Sequence, residues 1–294
     1  MKYNLALLCA NTLFALNYSL FVSVMERDSL SIECIYLLQT LIFGVAMVLW
    51  QLLSRGHLTI SLRDFCAIGA VAILSSMGWS YLMLKGMSLS SPIDAAIIAS
   101  VGPSLTLIFA HFMGRRRLTR GRISGVAISL SGVAILVVSR GSALMQSANV
   151  GGNLMLIVAV VIAALNTLLL KPLLERYGLA QIALCYAVVA SIVALTLFGR
   201  ELHFSPLGTL KPWNLVELIA LLLFGSALPL LLLFEGTEFL SPLHTSLYRY
   251  MQPLIAAIVV VARGQATLTL ANYLAMAALL LGGVLVAQKV DREG

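Results

Sequence analysis

Long apolar stretches alternate with short polar breaks along nearly the whole chain. Ten stretches stand out, at residues 3–24, 31–53, 65–84, 92–113, 123–139, 151–170, 179–198, 216–234, 242–261 and 268–288. A helix needs about 20 apolar residues, within a range of roughly 17–25, to cross the hydrocarbon core of a bilayer. The breaks carry charges and turn formers: Glu26-Arg27-Asp28, Ser54-Arg55-Gly56-His57, Gly114 to Arg122 and Glu175-Arg176-Tyr177-Gly178. The longest, Gly199 to Asn214, has room to lie along a membrane surface. Membrane-spanning strands would alternate polar and apolar positions over about ten residues. These stretches are continuously apolar. The pattern therefore predicts an all-α integral membrane fold of ten transmembrane helices.

Composition agrees. The 294 residues are 60% hydrophobic and 11% charged, with a mean hydropathy of +0.99. Soluble domains carry about 25% charged residues. The net charge of +7 is thus not a nucleic-acid signal, and its distribution between loops reports orientation. With the N-terminus in the cytoplasm, that side holds Lys2, Arg55, Arg63, Arg115, Arg116, Arg117, Arg120, Arg122, Lys171, Arg176, Lys289 and Arg292. The other side holds six basic residues: Arg27, Lys85, Arg140, Arg200, Lys211 and Arg263. The excess predicts both termini inside and a multi-pass inner-membrane location, with lipid as a partner. The first apolar run reaches Val24, too long for a signal-peptide core, and is read as a crossing segment. Cys9, Cys34, Cys66 and Cys185 all fall in apolar segments without metal-ligand spacing, and read as small buried hydrophobes.

The chain also repeats itself. Ser91-Pro92 and Pro103 recur as Ser241-Pro242 and Pro253, an offset of 150. The same offset pairs Ser76 with Ser226, Gly86 with Gly236, Leu118-Thr119 with Leu268-Thr269 and Gly132 with Gly282. Ala15-Leu16-Asn17 recurs as Ala164-Leu165-Asn166 at an offset of 149. Two units follow, 1–140 and 150–289. Five helices per unit is an odd number, so the second unit enters the membrane inverted, and a binding site is expected near the midplane where the units meet.

These motifs resemble the EamA units of the drug/metabolite transporter superfamily. In that family a Ser-Pro opens a helix with a central proline, followed by Gly-Glu-Arg-Leu-Thr and a Gly-containing helix. Here the first copy reads Ser91-Pro92, Pro103, Arg115-Arg116-Arg117-Leu118-Thr119, Gly125 and Gly132. The second reads Ser241-Pro242, Pro253, Gln265-Ala266-Thr267-Leu268-Thr269 and Gly282. The family's loop Glu is replaced by Arg116 and Ala266, so its role does not carry over. The resemblance implies that the first, third, fourth, sixth, eighth and ninth helices line a central cavity, with the fifth and tenth at the back.

Arg249 is the most conspicuous candidate residue. It lies seven residues past Pro242, about 10 Å into the ninth helix at 1.5 Å per residue. A charge at such depth costs about 2.5–3.5 kcal/mol on insertion scales and should face protein or water. It reads either as a cation for a substrate carboxylate or phosphate, or as a structural arginine paired with helix ends or a carboxylate. Tyr248 and Gln252 share its polar run. Asn17 and Asn166 are repeated amides that either join helices or bind substrate. Trp79, with Gln39, Ser80 and Tyr81, is a further candidate, the alternative for Trp79 and Tyr81 being an interfacial aromatic belt. Asp94 reads as a capping carboxylate behind Ser91 or as a proton-coupling group, and His244, its match in the second copy, as an interfacial or proton-coupling histidine. Pro103 and Pro253 read as kinks or hinges. Glu235 and Glu238 are expected to be solvated.

No catalytic constellation, phosphate loop, dinucleotide motif or metal set appears in the sequence, so neither an enzyme nor a bound cofactor is expected. The expected activity is export of a small-molecule substrate, a metabolite such as an amino acid, by alternating access, as a monomer or weak dimer. Alternatives are a drug cation, nucleotide sugar or other organic anion on the same fold, a membrane enzyme, or an assembly partner. The absence of a carboxylate at mid-depth argues against the drug cation.

Overall fold

The computed structural model describes residues 2–28, 30–54, 60–90, 92–115, 118–139, 147–202, 210–264 and 267–287. Among them every regular element is helical. The order is α1 (Lys2–Asp28), α2 (Ile32–Ser54), α3 (Leu62–Ile73), a π-helical stretch (Leu74–Tyr81), α4 (Leu82–Leu89), α5 (Pro92–Ala99), α6 (Gly102–Phe112) and α7 (Arg120–Ser139). Then come α8 (Ser147–Phe198), a 3-10 turn (Gly199–Leu202), α9 (Pro212–Leu222), a second π-helical stretch (Leu223–Ala227) and α10 (Leu228–Phe239). The last are α11 (Pro242–Leu247), a 3-10 turn (Tyr248–Met251), α12 (Gln252–Ala262) and α13 (Leu270–Ala287).

Among the described residues, eight helical stretches are long and apolar enough to span a membrane. That number differs from ten at two places. The sixth and seventh apolar segments form one continuous run, Val150–Leu202, of 53 residues. At 1.5 Å per residue such a run measures about 80 Å, more than twice a bilayer core. It is interrupted at Gly178, whose φ of 73° and ψ of 168° are non-helical and which only glycine adopts at no steric cost. The fifth segment forms α7, which is not among the eight although its 20 residues are of membrane-crossing length.

Helix ends follow local chemistry. Ser61 accepts the Asp64 N–H at 3.2 Å, and Ser241 accepts the His244 N–H at 3.2 Å. Gly114 (φ 68°) closes α6, and Gly264 (φ 67°) closes α12 at the position 150 residues later. The Ser91 cap, the loop positions Arg116 and Ala266, and Arg55, His57, Arg140, Lys289 and Arg292 lie outside the described residues.

The exterior is apolar. Leu53, Phe112, Leu62 and Ile258 are each at least 70% exposed, whereas Asn11, Gln39, Asn166, Arg249 and Gln252 are buried. In water that distribution would be inverted; in lipid it leaves the polar groups to one another. Cys34 and Cys185 are buried, but Cys9 and Cys66 are exposed, a correction to the expected burial of all four. An apolar segment in a membrane protein has an outward face as hydrophobic as its inward one. Helices α7 and α13 pack through small residues: a Cβ built on Gly125 would stand 2.7 Å from the Gly282 carbonyl oxygen, and one on Gly132 2.8 Å from that of Ala275.

A cavity organised by broken helices

Four interruptions of regular helix surround the interior cavity, one of them the π-helical stretch Leu223–Ala227, which brings Gly225 to its wall. Of the other three, the first is the π-helical stretch Leu74–Tyr81. Its wider turn splays successive side chains, and single π-turns of this kind gather at functional sites. The second is the break between α5 and α6. There the Ser100 N–H is shared between the Ala96 and Ile97 carbonyls, both at 3.2 Å, and Pro103 sits in the first turn of α6. The third is the 3-10 turn Tyr248–Met251, after which Pro253 opens α12. Both prolines thus begin new helices, where their missing N–H costs nothing. They were anticipated as kinks, and each stands at a local interruption within one membrane-length helical stretch, Asp94–Phe112 and Pro242–Ala262.

Arg249 in the 3-10 turn and Gln252, the first residue of α12, both line the main cavity. Residues three apart along a helix are neighbours on one face, so both point the same way. Tyr250 holds the turn from behind. Its hydroxyl bonds the Ser104 Oγ at 3.0 Å and the Ser129 Oγ at 3.4 Å, and its ring fills the space left by Gly283.

The main cavity encloses about 100 Å³. Its polar wall comprises Asn11, Asn17, Gln39, Ser80, Arg249 and Gln252, and its apolar wall includes Phe14, Met83 and Met87. Two smaller spaces adjoin it. One, about 20 Å³, is lined by Ser75, Asn166 and Thr167 and shares Trp79 and Arg249 with the main cavity. The other, about 40 Å³, is lined by Tyr36, Thr40, Ser76 and Tyr186 and shares Gln39, Ser80 and Leu230. Among the described residues, no Asp or Glu lines any of the three.

Arg249 is 7% exposed, with its guanidinium carbon 5.8 Å from the centre of the Trp79 ring, within cation–π range. Its side chain lies against Gly102, where a Cβ would come within 3.3 Å of Cδ and Nη1. Among the described residues no carboxylate stands within ion-pair distance of it. A buried cation without an anion is costly, and a ligand anion in the adjoining cavity would relieve it.

Gln252 is held on both sides. Its Nε2 donates to Asn11 Oδ1 at 2.8 Å, and its Oε1 accepts from the Tyr18 hydroxyl at 3.4 Å. Asn11 Nδ2 in turn donates to the Leu7 carbonyl at 2.7 Å. The two repeated amides differ. Asn166 Nδ2 donates to Ser75 Oγ at 2.7 Å. Asn17 packs its amide against Gly225, and its Oδ1 is buried without a partner.

The structure therefore brings Asn17, Trp79, Arg249 and Gln252 to one cavity and Asn166 to its neighbour. Tyr248, Asp94 and His244 line none of the three. Tyr248 lies beside His244, ring centres 5.9 Å apart. Asp94 is fully buried and accepts from Ser90 Oγ at 3.4 Å. Trp79 forms cavity wall instead of an aromatic belt, while Tyr81 donates to Glu33, which is paired with Lys85 at 2.9 Å. Glu235 is not simply solvated but pairs with Lys2 at 2.9 Å, and Glu238 accepts the Leu179 N–H at 3.2 Å. Asn11 and Tyr18 went unrecognised. Their signal is present, since Asn11, Phe14 and Tyr18 share one face at helical spacing, but a uniformly apolar background hides it. The second segment was not expected at the cavity, and it contributes Gln39.

A model of the EamA-like transporter family matches residues 1–138 and 150–288. The chain belongs to this family. Among its relatives, the "Uncharacterized transporter YyaM" of Bacillus subtilis (strain 168) is 24% identical over 75% of this chain and 72% of its own. The "WAT1-related protein At4g15540" of Arabidopsis thaliana is 28% identical over 68% of this chain and 58% of its own. A solved crystal structure shares the fold with a TM-score of 0.72 at 18% identity, covering 99% of this chain and 98% of that one. This EamA-like chain is thus a multi-pass membrane protein of a transporter family, and membership points to transport of a small molecule instead of enzymatic chemistry.

Proposed function

We propose that this chain exports a small metabolite bearing an anionic group, amino acids included, across the inner membrane by alternating access. The supporting observation is Arg249: a buried guanidinium on a cavity wall, stacked on Trp79, with no carboxylate beside it among the described residues. Asn17 and Gln252 lie on the same wall and would orient the ligand; Asn166 sits behind the Trp79–Arg249 pair. Ten crossings are read by dividing the 53-residue run at Gly178 and counting α7. The two units are read as inverted repeats, N-terminus inside, with hinges at Pro103 and Pro253. Asp94 and His244 stand away from the cavities, which favours facilitated diffusion over proton coupling through them. An organic anion other than an amino acid is the second reading, favoured by the absence of acidic residues from the cavity walls; the same absence disfavours a drug cation.

The test is a thermal-shift screen of the purified protein against amino acids, organic acids and cationic drugs, since any ligand of the folded state stabilises it by mass action. Hits are expected among carboxylates, lost in Arg249→Met. Stabilisation by cations alone, or hits that survive Arg249→Met, would sink the proposal.

A further inference from the structure

Gln39 of α2 stands at the neck between the main cavity and its 40 Å³ side branch, together with Ser80 and Leu230. It is 7% exposed, and its Nε2 has no hydrogen-bond partner. Other polar groups around the branch are already engaged. The Tyr36 hydroxyl bonds the Ser76 hydroxyl, and Thr40 Oγ1 donates to the Leu37 carbonyl at 2.9 Å. The neighbouring amide of Gln252 is likewise satisfied on both its atoms. Gln39 is therefore a buried amide donor left open where two cavities join, and buried donors are rarely left so in folded proteins. Its terminal torsion is broad and soft, so Nε2 can swing to an oxygen entering the neck.

Building on the assignment of Arg249 to an anion, we infer that the cargo is bifunctional: a carboxylate for Arg249 and a neutral oxygen acceptor, such as a carbonyl, that takes its hydrogen bond from Gln39. The far group is neutral because no acidic or basic side chain lines the branch among the described residues. It is an acceptor because the fully buried atom of Gln39 without a partner is its N–H donor. A plain aliphatic acid satisfies Arg249 and leaves Gln39 unpaired. Sites built to hydrogen-bond a group discriminate strongly against analogues lacking it, because their own buried polar atom is then stranded.

Two probes of nearly equal size isolate this contact: pentanoate and 4-oxopentanoate, titrated calorimetrically into the full-length protein in lipid nanodiscs. The oxo acid is expected to bind at least tenfold more tightly. In Gln39→Leu the two affinities should converge to within about twofold, with pentanoate binding retained as evidence of folding. Gln39→Met, which keeps the side-chain length, serves if the leucine variant does not fold. Equal binding of the two acids to the unmodified protein overturns the Gln39 inference and leaves the Arg249 assignment standing. A preference that persists in both variants overturns it too. Binding of neither acid, with Arg249→Met indistinguishable from the parent, overturns the anion assignment and this inference with it.

Discussion

The two sequence copies solve one local problem differently. In the second copy's amide, Asn166 donates to Ser75 at 2.7 Å. The first copy's amide, Asn17, meets Gly225, which occupies the position 150 residues after Ser75 and offers no hydroxyl. Both leave Oδ1 unpartnered, but one amide is fastened through its Nδ2 and lines the 20 Å³ space, while the other lies on the main cavity. The same contrast recurs at Ala99 and Arg249, at Gly102 and Gln252, and at Ser80 and Leu230. Where the copies agree, they build scaffold: paired π-helical stretches, prolines opening α6 and α12, and glycines of positive φ closing both helices. Several of the places where they disagree, Arg249, Gln252 and Ser80 among them, line the cavity. Duplicated backbone and divergent side chains divide stability from recognition.

Arg249→Met gives the largest expected effect on that contrast. It returns the second copy to the apolar character of Ala99, and transport of an anionic substrate should fall at least about 100-fold, consistent with loss of a charge-assisted contact of about 3 kcal/mol. The thermal midpoint of the free protein should hold or rise, because an unpaired buried charge is removed. Flux in reconstituted vesicles and a melting curve check both; a collapse in stability instead would mark Arg249 as structural.

Gly225→Ser gives Asn17 the hydroxyl that Asn166 enjoys. Its Cβ would meet the Asn17 side chain, so the amide must turn to bond it, and substrate affinity should fall about tenfold, roughly 1.4 kcal/mol. Competition binding reads this directly, and unchanged affinity would remove Asn17 from the ligand site. Trp79→Leu keeps an apolar wall but removes the ring beneath the guanidinium. A cation–π contact is worth about 0.5–2 kcal/mol, so affinity should drop roughly three- to thirtyfold with folding intact. Ser75→Gly is expected to act least on transport. It should strip Asn166 of its acceptor and lower stability by about 1 kcal/mol, visible in the melting temperature and hardly in substrate affinity.

Much of this architecture was legible in advance, and some of the site. Arg249 announced itself because a charge among apolar neighbours needs a reason to be there. Asn17 and Asn166 announced themselves by recurring. Nothing in the sequence said which amide is fastened, since the answer depends on a serine or glycine 91 or 208 residues away. Asp94 and His244 looked like coupling groups because they break the repeat, yet their positions on α5 and α11 keep both off the cavity walls. Gln39 was noticed as polar, but its place at a neck between two cavities is a property of three packed elements.

The sequence alone determined that the chain is helical, membrane-embedded and internally repeated. Segment length, apolar continuity and the position of prolines and glycines act through local backbone sterics and the solvation of each stretch in lipid. Only the tertiary structure decided which polar groups are spent on one another and which remain open. Hydrogen bonds and cation–π contacts depend on distances of a few ångströms between residues far apart in sequence. Arg249 without a carboxylate, and Asn17, Asn166 and Gln39 each with one unpartnered amide atom, are what the packing left open around the cavities.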